Sequence, residues 1–202
     1  VDTYTVNSKQ RILIIGTYRS GTQTLTRAFS EIFKIKSLQE PWNRRLHRHK
    51  KHKYPECLKK VDCVKTLVHI VPPGVKNFTE FYTDMVTYFD HVVILGRRDR
   101  VKLAESFHTA EISHQWRDRY YLGENYDFKL EMEVHNWVCD LLVKVSEELK
   151  IPITWYEDLY SGDMDTIQKC IDKWSFDIDI QKLFKYIDPQ HKYRLKNPKS
   201  VI

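Results

Sequence analysis

Apolar residues recur along this chain in two alternating rhythms. Arg11 to Ile15 is a short run rich in β-branched residues that stops at Gly16, the pattern of a buried strand. From Thr22 onward, Leu25, Ala28, Phe29, Ile32 and Phe33 fall at helical spacing, so strand, turn and helix follow one another. Val64 to Ile70 is a second strand-like run ending before Pro72-Pro73, and Val75, Phe78, Phe81, Tyr82, Met85 and Phe89 mark the next helix. Val92 to Leu95, closed by Gly96, is again a compact strand, and Val101, Ala104 and Phe107 follow at helical spacing. Leu130, Val134, Trp137, Val138, Leu141, Val145 and Leu149 stripe a long helix that stops before Ile151-Pro152. Ile153 to Trp155 reads as the last strand, with Pro152 tolerable only at its start or on an edge. Strands alternating with helices are joined by crossovers and run parallel. The expected fold is α/β: a three-layer domain with a central parallel sheet of about four or five strands flanked by helices.

Length and composition narrow this picture. With 202 residues, 42% of them hydrophobic, the chain is long enough for one sizeable core and short for two. A single domain over 1–202 is expected, with 1–10 as an N-terminal extension and 190–202 as a basic C-terminal segment. The net charge of +6 suits an anionic ligand without requiring nucleic acid. Cys57, Cys63, Cys139 and Cys170 form no CxxC pair, which argues against a zinc site or a dense disulfide framework, while Cys57 and Cys63 are close enough in sequence to bridge a loop. No apolar run approaches the roughly 18 residues needed to span a bilayer, so no membrane segment is expected and the chain reads as soluble or cytoplasmic. A start at Val1 leaves a removed anchor possible. Asn77-Phe78-Thr79 fits the glycosylation sequon but lies inside a helical pattern.

The candidate chemistry begins in the turn after the first strand, Gly16-Thr-Tyr-Arg-Ser-Gly21-Thr-Gln-Thr24. Two glycines five positions apart, between strand and helix, let loop amides and a helix N-terminus face an anion. A triphosphate loop needs lysine after its second glycine. Here that position is Thr22, while Arg19 puts a cation inside the loop, so the loop suits a single phosphate group. A second basic stretch, Gly96-Arg97-Arg98-Asp99-Arg100, follows the Val92–Leu95 strand, and Ser106 lies about two helical turns past Arg98. An arginine fork and a hydroxyl at that spacing suit one further phosphate.

Taken in order, Arg19-Ser20-Gly21-Thr22-Gln23-Thr24, the Arg98/Ser106 pair and Tyr156-Glu157-Asp158-Leu159 resemble the donor-site phrases of sulfotransferases that use 3′-phosphoadenosine 5′-phosphosulfate (PAPS). The resemblance spans positions 11 to 160, and is nearer to the carbohydrate and bacterial glycolipid types than to the cytosolic small-molecule types. It implies a P-loop-like fold, PAPS as sulfuryl donor and 3′-phosphoadenosine 5′-phosphate (PAP) as product, with no metal required. It also implies that Arg19, Ser20, Gly21, Thr22, Gln23 and Thr24 bind the 5′ phosphate, that Arg98 and Ser106 bind the 3′ phosphate, and that Arg194 belongs to a basic nucleotide-covering segment. Tyr156 is expected to touch adenine or to pack and cap.

In such a transfer Arg19 stabilises charge on the leaving phosphate, because a guanidinium does not readily give up its proton. Glu40, in Leu38-Gln39-Glu40-Pro41-Trp42, is the expected catalytic base, with His69 as runner-up. The basic run Arg44–Lys53 either attracts an anionic acceptor or is a solvated loop, and Trp116–Phe128 is either an acceptor-side lid or a helix connection. His47, His49 and His52 have no interleaved carboxylate or cysteine, so no metal site is expected. The expected partner is a small-molecule or glycan acceptor. Two rival readings stand beside this one: a P-loop kinase-like protein, and a non-enzymatic polyanion-binding module.

Overall fold

The structure is a computed structural model that describes residues 10–43, 46–47, 52–112 and 128–187. In chain order the elements are β1 (Ile12–Gly16), α1 (Thr22–Phe33), β2 (Ser37–Gln39), β3 (Cys63–Leu67), α2 (Phe78–Val86), β4 (His91–Gly96) and α3 (Arg100–Ile112). They continue with α4 (Phe128–Leu149), β5 (Ile153–Trp155), α5 (Tyr156–Leu159), α6 (Met164–Ile171) and α7 (Ile180–Ile187). The five strands form one sheet in the order β2-β3-β1-β4-β5, and every pairing is parallel. This is the three-layer α/β architecture that the alternating pattern predicts.

Alternation along β1 divides the core in two. Leu13 and Ile15 face α2, α3 and α4 through Tyr82, Met85, Leu103 and Leu142, whereas Ile12 and Ile14 face α1, α6 and α7 through Leu25, Phe29, Ile167 and Leu183. Each fully buried side chain of this size contributes about 1.5–3 kcal/mol of transfer free energy. Both faces of β1 are covered, which is why its sequence is uniformly apolar rather than alternating.

Helix α1 leaves β1 toward one face of the sheet, and α3 leaves the adjacent strand β4 toward the other. Gly16 and Leu95 are register partners, so the two exit loops start side by side and then diverge. That divergence opens a crevice at the carboxyl edge of the sheet, the usual ligand position in open α/β folds.

Local chemistry moves some boundaries from their expected places. α2 begins at Phe78 instead of Val75, because the Asn77 side chain caps it by accepting from the backbone amides of Thr79 and Glu80. β3 stops at Leu67, and Tyr82 donates its hydroxyl hydrogen bond to the carbonyls of Leu67 and Val68, both at 3.2 Å. β5 is an edge strand, where Pro152 costs no ladder bond. The helices α5, α6 and α7 lie beyond the elements that the apolar pattern predicts, although Asp163 caps α6 and Ile167, Cys170 and Ile171 have helical spacing. All four cysteines are free and buried, so Cys57 and Cys63 form no bridge. Among the described residues no helix is long and apolar enough to cross a membrane.

Candidate functional site

The loop after β1 is shaped by two left-handed residues, Arg19 at φ 58° and Gly21 at φ 83°. Gly21 is the N-cap of α1 and brings no capping side chain, and the first turn of the helix carries no acidic residue. The first intrahelical bond runs from the Leu25 amide to the Gly21 carbonyl at 3.1 Å, so the amides before it belong to the helix's anion-attracting end. Gly16 is equally constrained: a Cβ there would lie 2.8 Å from the Leu95 carbonyl oxygen. Ser20 is fully buried and donates to the Thr17 carbonyl at 2.6 Å, which holds the loop closed from within. Thr22 is buried, Gln23 exposed, and Thr24 lies between these extremes.

Two guanidiniums converge on this loop. Arg19 donates through Nε to Ser106 Oγ at 3.0 Å, linking the β1 exit to α3. Burial lowers its pKa, and the neighbouring charge of Arg97 lowers it further. Arg97 is 13% exposed and lies with Cζ 4.8 Å above the Tyr156 ring. Its nearest carboxylate oxygen, on Glu157, is 3.8 Å from Nε, an atom that is buried without a hydrogen-bond partner among the described residues. Holding two like charges together in a partly buried place is unfavourable unless something anionic offsets them.

Arg98, singled out by its spacing to Ser106, is placed differently. Its NH1 and NH2 donate to the two oxygens of Asp158 at 2.7 and 2.6 Å, and its guanidinium lies over Trp155. The Arg98 side chain is 50% exposed, and three of its five N–H donors point elsewhere. Arg98 and Ser106 thus stand at the same crevice, but the serine hydroxyl meets Arg19. Arg100 donates to Asp140 at 2.6 Å on α4. Arg97, Arg98, Arg100, Leu142, Trp155 and the fully buried Thr17, whose hydroxyl has no hydrogen-bond partner among the described residues, line a cavity of about 170 Å³.

Of the candidate bases, Glu40 lies across β3 from this cationic group and His69 follows β3 itself. Glu40 follows β2 directly, is 7% exposed, and adopts φ 45°, a conformation that costs a residue with a side chain on the order of 1 kcal/mol or more. Its carboxylate forms a buried ion pair with Lys65 Nζ and accepts from Asn43 Nδ2 at 2.6 Å. Its backbone amide donates to the Lys65 carbonyl at 2.6 Å. Because β2 and β1 are separated by one strand, Glu40 and the β1 exit loop lie roughly 10 Å apart in the sheet direction. His69, in the loop after β3, has its pKa pushed down to about 4, first by burial and then by His135 and Lys65, with Glu40 opposing. Its Nδ1 is buried without a hydrogen-bond partner among the described residues.

Tyr18 joins the two halves. Its hydroxyl is hydrogen-bonded to His135 Nδ1 on α4, and its ring centroid is 5.4 Å from His69 and 4.9 Å from Phe107.

The sequence reading names Arg19, Glu40 and the loop; Arg97, Lys65 and His135 stand beside them only in the structure. Arg97 had a signal, the Arg97-Arg98 doublet at a strand exit. Lys65 sits in an apolar strand, where a lone lysine is itself a marker of a buried partner. Arg194, most of Arg44–Lys53 and nearly all of Trp116–Phe128 lie outside the described residues. Within that basic run, His47 Nε2 donates to the Gln39 carbonyl at 2.9 Å, and His47 Nδ1 is hydrogen-bonded to His52 Nε2 at 3.2 Å. Among the described residues no group of three or more His, Cys, Asp or Glu is placed to hold a metal ion.

Chemically, the crevice offers a helix N-terminus, two guanidiniums and a serine hydroxyl to an anion, with the Glu40–Lys65 pair on the far side of β3. Comparison with protein-family models, with curated proteins and with solved structures gave no match.

Proposed function

We propose that this chain is a sulfotransferase that moves a sulfuryl group from PAPS to a hydroxyl of a carbohydrate or glycolipid. The observation that supports the proposal is that Arg19, Arg97 and the N-terminus of α1 stand together at the carboxyl edge of β1. The sequence Arg19-Ser20-Gly21-Thr22, with threonine in the lysine position of triphosphate loops, favours one sulfated phosphate over a nucleoside triphosphate.

Glu40 takes the proton of the acceptor hydroxyl, and the freed oxygen attacks sulfur. The bond between sulfur and the 5′-phosphate oxygen breaks, and its electron pair stays on that oxygen. Arg19 and the first-turn amides of α1 stabilise the resulting charge, while Lys65 and Asn43 hold the Glu40 carboxylate in place. At neutral pH His69 is uncharged, its pKa pushed down to about 4 chiefly by burial, and no hydrogen bond orients its Nδ1 among the described residues. Arg98, oriented by Asp158, and Ser106 face the 3′ phosphate.

Thermal unfolding with PAP or with ATP plus magnesium tests the reading. A ligand at a hundredfold excess over its Kd stabilises by about 2.7 kcal/mol, so PAP is expected to raise Tm saturably. A response to ATP and magnesium alone would point to a kinase-like protein. Binding that tracks salt without any response to PAP would point to a polyanion-binding module.

A further inference from the structure

The segment Tyr156–Tyr160 touches both anion-facing loops. Tyr156 lies under Arg97, Glu157 accepts from the Arg98 and Asp99 amides at 3.1 and 3.2 Å, and Asp158 holds Arg98. Leu159 is fully buried in the α1 side of the core. Tyr160 then reaches back 139 positions in sequence and donates its hydroxyl hydrogen to the Gly21 carbonyl at 2.8 Å.

We infer that Tyr160 is a positioning residue for the phosphate at the N-terminus of α1, acting through the Gly21–Thr22 peptide. This inference rests on the donor reading above. The Gly21 carbonyl and the Thr22 amide belong to one planar unit, so a bond donated to the carbonyl fixes the plane and polarises the N–H on its other side. The same carbonyl also accepts the first helical bond from Leu25. The Thr24 side chain hydrogen-bonds the phenol as well, so Tyr160 orders two of the residues assigned to the phosphate.

Steric fit supports a specific seat. A Cβ at position 21 would stand 2.5 Å from Tyr160 Cε2 and 2.7 Å from its hydroxyl oxygen, so ring and loop are in close contact. The ring is stacked on Tyr156, with centroids 4.7 Å apart, and Tyr160 is 7% exposed. One bracket therefore sets the distance between Arg97, which Tyr156 supports, and the amides of α1.

The test compares Tyr160→Phe with Tyr186→Phe. Tyr186 donates to Glu31 at 2.8 Å on the same helix, far from the loop, and controls for loss of a phenol bond to α1. Calorimetric titration with PAP and with 3′-AMP, which lacks the 5′ phosphate, separates phosphate positioning from general loosening. Tyr160→Phe should weaken PAP about tenfold and change 3′-AMP less than twofold, and Tyr186→Phe should leave both unchanged. Equal weakening of both ligands, or no weakening of PAP, overturns the role of Tyr160. Wild-type protein that binds neither ligand overturns the donor reading and this inference with it.

Discussion

The exit of β1 and the exit of β2 are both turns after parallel strands, yet they hold their charges in opposite ways. After β1, Arg19 stands beside another cation, Arg97, and a hydroxyl. After β2, Glu40 is matched at once by Lys65 and Asn43. A cationic crevice is stabilised by an incoming anion, whereas the Glu40 carboxylate already has a counter-charge and a hydrogen-bond donor of its own. On the proposed reading the first is the donor side, which binds charge, and the second the acceptor side, which moves a proton. Both turns use a left-handed residue with a side chain, Arg19 and Glu40; among the described residues the other two of this kind, Lys34 and Lys150, stand at helix ends.

The largest effect is expected on the acceptor side. Glu40→Gln should cut turnover about 1000-fold or more while PAP affinity changes less than twofold, measured by single-turnover transfer and by titration. Near-normal turnover would remove Glu40 as the base. Lys65→Met, by leaving Glu40 buried without its cation, should destabilise the fold by about 3–5 kcal/mol in urea unfolding.

His69 supplies a pH test of the same region. Its folded pKa of about 4 lies below its unfolded value near 6.5, so the unfolded chain takes up the proton first as pH falls. The stability tied to neutral His69 is present above about pH 6.5 and is lost progressively down to about pH 4, by up to about 3 kcal/mol. His69→Gln should flatten that part of the pH profile, and an unchanged slope would mean that His69 is accessible to solvent.

On the donor side, Arg19→Ala should lower turnover about 100-fold, with PAP affinity also reduced. Arg97→Ala and Arg98→Ala sharpen the comparison within one loop. Loss of Arg97 should weaken PAP about tenfold, and loss of the half-exposed Arg98 about threefold, since part of its fork already serves Asp158. The reverse order would show that Arg98 leaves Asp158 to grip the nucleotide.

How much of this was legible in the sequence depends on how local each feature is. β5 coincides with the expected Ile153–Trp155, and the loop from Gly16 to Thr24 follows from two glycines between an apolar strand and an amphipathic helix. α2 shows a limit: periodicity includes Val75, but an asparagine side chain decides where hydrogen bonding starts. Arg97 and Arg98 show another, since adjacent residues at a strand exit diverge in direction, and spacing alone cannot say which one meets Asp158.

What the sequence determined by itself is the class of fold and the shape of one loop, because strand and helix periodicities and glycine's backbone freedom act over a few residues. Only the tertiary structure decided the strand order β2-β3-β1-β4-β5, and with it every pairing across the crevice. Arg19 with Ser106, Glu40 with Lys65, Tyr18 with His135 and Tyr160 with Gly21 are 25 to 139 positions apart. Their meeting depends on which strands lie side by side and on which face each helix returns, and both are set by burying two apolar faces of one sheet at once.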